Sequence, residues 1–310
     1  MGLNIMCGGG QKVLINDELG EAQEYDIWES MPIQAHASDW TLISQTYMMN
    51  GKAYYFPLST SGVIEFDGEK NIKKNWSFYS LRRLNTITIL GDSIYFIYDN
   101  EVKKYIPGTG EVTYAACPSS ESYIKQIIAF NGKIYAFCQT RPSDDRYYTI
   151  QYYDESNSEW VLAERLTNAS EYNYHYYPYY SSLIVFDNKI HVLGGGTSSS
   201  AYKEHYSFDG TDFRGDVTAP FDIAHGLASV YDGKIHLLGA FGGPNKEYTF
   251  DGTTWATETV FSVNGENSYN DFAQTACLAK IAGKEFIIGL GQRFNIEKKP
   301  DLFICSYYNP

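Results

Sequence analysis

One short pattern recurs six times along the 310 residues, and it constrains the fold more than any other feature. An apolar strand enters a two-residue turn and leaves as a second strand with an aromatic residue or His at a fixed place. The copies are Tyr47–Tyr54, Thr88–Tyr95, Ile128–Tyr135, Ile184–His191, Ser229–His236 and Ala279–Phe286. Their turn dipeptides include Asn50-Gly51, Gly91-Asp92, Asn131-Gly132, Asp187-Asn188 and Asp232-Gly233, residue types that tolerate positive φ in a type I′ turn. Each copy therefore reads as a β-hairpin. The 28 Tyr, 17 Phe and 27 Gly suit strands and tight turns better than helices, so the chain is expected to be all-β.

The second turn residue falls at 51, 92, 132, 188, 233 and 283, and the spacings of 41, 40, 56, 45 and 50 residues match the period of a propeller blade. Every unit also carries a later landmark: Phe66-Asp67, Tyr105, Tyr153-Asp154, Phe208-Asp209, Phe250-Asp251 or Tyr307-Tyr308. A turn and another aromatic strand follow the first five, with Trp76, Tyr114, Trp160, Phe213 and Trp255, of which Trp76, Trp160 and Trp255 are expected to be equivalent buried packing residues between blades. Four antiparallel strands per unit, A to D, make one small twisted sheet. With the Gly-Lys-Ile-Tyr/His hairpins, the glycines at Gly194–Gly196, Gly242-Gly243 and Gly289-Leu-Gly291, and the strand-D Trp, residues 24–310 resemble the kelch-repeat β-propellers. The resemblance implies a six-bladed kelch-type β-propeller. The double glycine is absent after Phe56, Ile97 and Phe137.

The sixth unit runs out at Tyr308-Asn-Pro310, after strand C, which would leave an unpaired edge. Tyr25-Asp-Ile-Trp28 reads as the missing strand D, with Met31-Pro32 as an exit loop. The expectation is a ring closed by this N-terminal strand, with residues 1–20 as an N-terminal arm and 21–310 as a single propeller domain. Val13-Leu-Ile15 as an extra strand gives the alternative of seven blades, one of them partial.

A net charge of −13 repels phosphate backbones, so no nucleic-acid partner is expected. No membrane span is expected either, because no apolar run approaches the length needed. The first ten residues lack the basic and apolar regions of a signal peptide, which points to a cytoplasmic or particle-associated (virion) protein. Cys7, Cys117, Cys138, Cys277 and Cys305 form no Cys-x-x-Cys pair and leave one over, an argument against disulfides and structural zinc. The six His form no metal motif, and no nucleophile elbow or phosphate loop is present. No cofactor, metal or catalytic residue is assigned. His191 and His236 fall in the slot of Tyr54, Tyr95 and Tyr135 and are expected to pack inside their blades.

Irregular sequence collects where B–C loops and D–A connections emerge together. The third B–C loop offers Arg141, Asp145 and Arg146, and the sixth offers Arg293 and Phe294. The long connection after the third unit, Glu171 to Tyr180, holds Tyr174, His175, Tyr176, Tyr177 and Tyr179 among its six tyrosines. Tyr presents a flat apolar face with a polar tip at little entropic cost, which suits recognition surfaces and sugar rings. These ten residues are the candidate ligand-binding set. The expectation is a non-catalytic propeller that engages a glycan or protein partner, with residues 1–20 available to dock on a larger assembly such as a virion or phage tail. The alternative, which the kelch resemblance implies, is a sugar-active enzyme of mutarotase or lyase type.

Overall fold

The structure is a computed structural model that describes residues 13–16, 22–25, 27–32, 45–56, 63–67, 71–74, 86–107, 109–115, 122–140, 148–166, 181–195, 202–223, 227–240, 243–260, 262–263, 277–281, 284–292 and 300–307. Among them there is no helix. Strands β1 (Val13–Asn16) and β2 (Ala22–Tyr25) pair as a two-stranded sheet, and β3 (Ile27–Pro32) follows.

Five four-stranded antiparallel sheets succeed one another. The first holds β4 (Gln45–Met49), β5 (Lys52–Phe56), β6 (Val63–Phe66) and β7 (Asn71–Lys74). The second holds β8 (Ile87–Leu90), β9 (Ser93–Tyr98), β10 (Glu101–Ile106) and β11 (Gly110–Ala115). The third is β12 (Ser122–Phe130), β13 (Lys133–Thr140), β14 (Tyr148–Asp154) and β15 (Glu159–Leu166). The fourth is β16 (Ser182–Phe186), β17 (Lys189–Leu193), β18 (His205–Phe208) and β19 (Phe213–Gly215). The fifth is β20 (Leu227–Tyr231), β21 (Lys234–Ala240), β22 (Gly243–Phe250) and β23 (Trp255–Val260).

Hairpin chemistry explains the register. Asn50-Gly51, Asn131-Gly132, Asp187-Asn188 and Asp232-Gly233 all have positive φ at both positions, as type I′ turns require. Gly91 has positive φ but Asp92 does not, so the second hairpin turns as type II′ instead. The Asp landmarks close the C–D turns: the Asp209 carboxylate accepts the amides of Thr211 and Asp212, and Asp251 those of Thr253 and Thr254.

The sixth sheet departs from the expectation. β24 (Ser262–Val263), β25 (Cys277–Ile281), β26 (Lys284–Gln292) and β27 (Pro300–Tyr307) assemble with β3 in the order β24-β3-β27-β26-β25. The N-terminal strand does pair with the last strand, but through Glu29–Pro32 opposite Ser306–Phe303, so Met31-Pro32 is strand and not exit loop. Ile27 and Trp28 instead pair in parallel with Ser262 and Val263. In this register Trp28 is level with Tyr307, the last residue of β27, so residues 25–27 have no β27 partner, and Pro32 sits at the strand end, where its missing N–H costs least.

The sheets stack through alternate faces of their strands. Ile134, Ala136 and Cys138 of β13 join a core with Tyr95, Ile97 and Val102 of the second sheet. Tyr135 and Phe137 of the same strand join Val192, Tyr206 and Phe208 of the fourth. A strand buried on both faces explains its unbroken apolar run, and fully burying one ring such as Phe137 contributes about 1.5–3 kcal/mol. First strands lie side by side in the series β4, β8, β12, β16, β20 and β25, and β25 also meets β5 of the first sheet. The architecture is all-β and propeller-like.

Candidate functional site

Register places the chain's irregular segments. In the third sheet Ser122 pairs with Thr140 and Tyr148 with Leu166, so the segments 141–147 and 167–180 both leave from the end where β12 begins. In the sixth sheet Gln292 pairs with Pro300, so 293–299 leaves from the end where β25 begins. The candidate residues Arg141, Asp145, Arg146, Tyr174, His175, Tyr176, Tyr177, Tyr179, Arg293 and Phe294 themselves lie outside the described residues.

Near the strand ends from which these segments leave, polar side chains tie neighbouring sheets together. Gln126 Nε2 donates to the Ser181 carbonyl at 3.0 Å, and the Ser181 hydroxyl donates back to Gln126 Oε1 at 3.2 Å. Both residues are buried. The Ile124 amide donates to Asn100 Oδ1 at 2.8 Å, fastening the β9–β10 turn of the second sheet to the start of β12. Ser182 Oγ accepts from the Ala228 amide at 3.1 Å at this end, and at the opposite, hairpin end Thr88 Oγ1 accepts from the Ala129 amide at 2.9 Å, so first strands of neighbouring sheets are stitched by side chains. Lys125 is buried along its stem, with Nζ 4.8 Å over the exposed ring of Tyr123.

At the same end of the fourth sheet, the backbone crosses itself. Gly194 donates to the Glu204 carbonyl at 2.8 Å and Gly195 to the Ile223 carbonyl at 2.9 Å, while Tyr202 and Ile223 form an isolated bridge. Gly194 has φ +62°, and a Cβ there would lie 2.1 Å from the Ile223 carbonyl oxygen. The glycine run of the sequence is thus a passage for backbone. Glu204 Oε2, in this crossing, is buried with no hydrogen-bond partner among the described residues.

A second cluster lies between the fourth and fifth sheets. Because His191 pairs with Ser207 and His205 with Leu193, the two His are diagonal neighbours on one face. Their Nδ1 and Nε2 atoms, respectively, stand 2.8 Å apart, and both residues are buried. Burial lowers both pKa values, and with the added effect of His191 it brings His205 to about 4. Burial acts to raise Asp216, but the Val217 amide, His205 and the Ser207 hydroxyl outweigh it and hold the carboxyl below its ordinary range. The ligand atoms of His191, His205 and Asp216 lie within 4.8 Å of one another. Sequence spacing hid this trio, since its members are 14 and 11 positions apart and only strand register unites them. The repeat slot did predict burial of His191, and His236, in the same slot, is also buried and bonded at 3.0 Å to the Tyr231 carbonyl.

The strand-D aromatics are less buried than expected. Phe213 is buried, but Trp160 and Trp255 are half-buried, each packed against the margin of a core cluster, because strand D is the outermost strand of its sheet. Trp76 lies outside the described residues.

No family model matches the chain, so the kelch resemblance rests on the repeat itself. Among solved structures, one titled "Structure of YjhT" aligns with a TM-score of 0.57 at 12% identity, covering 88% of this chain and 97% of that one. At that identity the likeness concerns the fold alone, and it supports an all-β, propeller-like architecture.

Proposed function

We propose that the chain is a six-bladed propeller, its ring fastened by β3 beside β27, that binds carbohydrate on the face where its loops converge. The observation that carries this reading is the anchoring of the Tyr-rich connection. The connection leaves the third sheet after Leu166 and rejoins the described chain at Ser181, which is hydrogen-bonded both ways to Gln126, and its sequence holds six tyrosines. The segment 141–147, with its Arg and Asp residues, opens from the same end. Aromatic faces beside charged and amide groups are what a sugar ring requires, with its apolar C–H surface and rim of hydroxyls. The net charge of −13 favours a neutral or cationic ligand over an anionic one.

A glycan array with the isolated protein tests this. Selective binding to a related set of glycans, without chemical change, supports the reading. Binding to no glycan, with capture of a protein ligand that the Tyr variants lose, replaces it with protein recognition. The sugar-active enzyme is the second reading, and Glu204 is the observation in its favour: a buried carboxylate oxygen with no hydrogen-bond partner among the described residues, at this end of the fourth sheet, is the type of group that general acid–base chemistry uses. Conversion of a bound sugar over time, lost on Glu204→Gln, would establish it.

A further inference from the structure

Ring tautomers in the His191–His205 pair follow from their outer partners. His191 Nε2 lies 3.2 Å from the Phe186 carbonyl, and His205 Nδ1 lies 3.3 Å from the Val217 carbonyl. A carbonyl only accepts, so each of these nitrogens carries a proton. The remaining nitrogens, His191 Nδ1 and His205 Nε2, are then lone pairs that face one another at 2.8 Å. Two lone pairs repel at that separation unless they share an electrophile, either a proton or a metal ion. Imidazoles steered by backbone carbonyls so that their free nitrogens converge are the usual arrangement of metal-ligating His.

A third donor completes the set. A carboxylate oxygen of Asp216 and one ring nitrogen from each His lie within 4.8 Å of one another, and the Asp216 amide is bonded to the His205 carbonyl at 2.7 Å, which holds it beside the ring. The geometry points to a divalent metal site of zinc type at the junction of the fourth and fifth sheets, ligated by His191, His205 and Asp216 and leaving one position for water. Two imidazoles and a carboxylate suit Zn²⁺ far better than Ca²⁺ or Mg²⁺, which take oxygen ligands. Zn–N bonds of about 2.0–2.1 Å in a tetrahedral centre set two nitrogens roughly 3.3 Å apart, so loading parts the rings by about half an ångström. Asp216 is half-buried and Val217 is exposed, which gives the ion a way in from solvent. Phe250 at 4.7 Å and Trp255 at 5.6 Å from His205 wall off the other side. The ion ties β17, β18 and the connection after β19 into one unit against the fifth sheet, a stabilising role separate from carbohydrate binding.

The test uses the full chain, stripped with a chelator and then titrated with ZnCl₂ by calorimetry and with Co²⁺ by visible absorption. One ion per chain is expected, with a rise in Tm on zinc addition and intense cobalt bands of a four-coordinate centre. His205→Gln and Asp216→Asn should each weaken binding at least about tenfold. Asp216→Asn, at the half-exposed rim, keeps the test valid if the buried His variant does not fold. Absence of a zinc-dependent Tm rise and of cobalt bands overturns the proposal and leaves a pair bridged by a proton. Undiminished binding in Asp216→Asn and in whichever His205 variant folds also overturns it, because the ion then sits elsewhere.

Discussion

The indole Nε1 of Trp255 donates to the backbone carbonyl of Val217 at 3.1 Å, joining the outermost strand of the fifth sheet to the connection that leaves the fourth. The same ring packs 5.2 Å from Phe250 and 5.9 Å from Phe221. Its role is therefore to hold two sheets together from their edge, which a half-buried position allows. Trp255→Ala should cost about 2–3 kcal/mol, below the usual range for a fully buried Trp, and Trp255→Phe about 1 kcal/mol for the lost hydrogen bond. Urea denaturation measures both, and equal losses in the two variants would contradict the packing contribution.

Gly194 permits the crossing of Ile223 over the end of the fourth sheet. Its φ of +62° disfavours any side chain, and an added Cβ would overlap the Ile223 backbone at 2.1 Å. Gly194→Ala should destabilise the protein by about 3 kcal/mol or more, combining backbone strain with displacement of the crossing. Gly215, where a Cβ meets nothing within 4 Å, is the control, and Gly215→Ala should change Tm little. Equal effects at the two glycines would contradict the account of the crossing.

The pairing of Glu29–Pro32 with Phe303–Ser306 makes the N-terminal strand part of the last sheet. Deletion of residues 1–32 would leave β27 with an unpaired edge, an invitation to association with other chains. The truncated protein should aggregate or lose cooperativity in its thermal transition. A monomeric truncation with an unchanged Tm would show that β3 does not fasten the ring.

Acid should loosen the C–D turns. Asp209 accepts backbone hydrogen bonds first from Thr211 and Asp251 first from Thr254, and these hold both carboxyls well below the ordinary range. A depressed folded pKa stabilises the native state above the unfolded value of about 3.9 and ceases to do so as pH falls through the folded value. Carboxyl NMR titration should place both midpoints below those of exposed Asp residues without such bonds. Asn at either position should flatten the acid limb of the stability curve, and ordinary midpoints in the native protein would contradict the turn assignment.

Local chemistry made the hairpins legible, because Asn-Gly and Asp-Gly name their own turn and the repeat supplies the register. The Asp landmarks were legible as positions, and their capping bonds explain the recurrence. What escaped was long-range register. Nothing near Met31-Pro32 announces that β27 extends far enough to pair with it, and nothing near Ser262 announces its parallel partner Ile27. His191 and His205 look unrelated in sequence until the pairing of β17 with β18 sets them diagonally on one face. Trp160 and Trp255 are less buried than the repeat predicts for a similar reason, since an aromatic position in a repeat does not reveal that its strand lies at the sheet's outer edge.

The most direct test of carbohydrate recognition compares the wild-type chain with the triple variant Tyr174→Ala, Tyr176→Ala and Tyr177→Ala, titrated calorimetrically with the strongest glycan from the array. If the tyrosines are aromatic anchors contributing roughly 1–2 kcal/mol each, affinity should fall by about a hundredfold or more while Tm stays near wild type. A variant that binds the glycan as tightly as wild type per folded molecule, whatever its Tm, would contradict recognition through this connection.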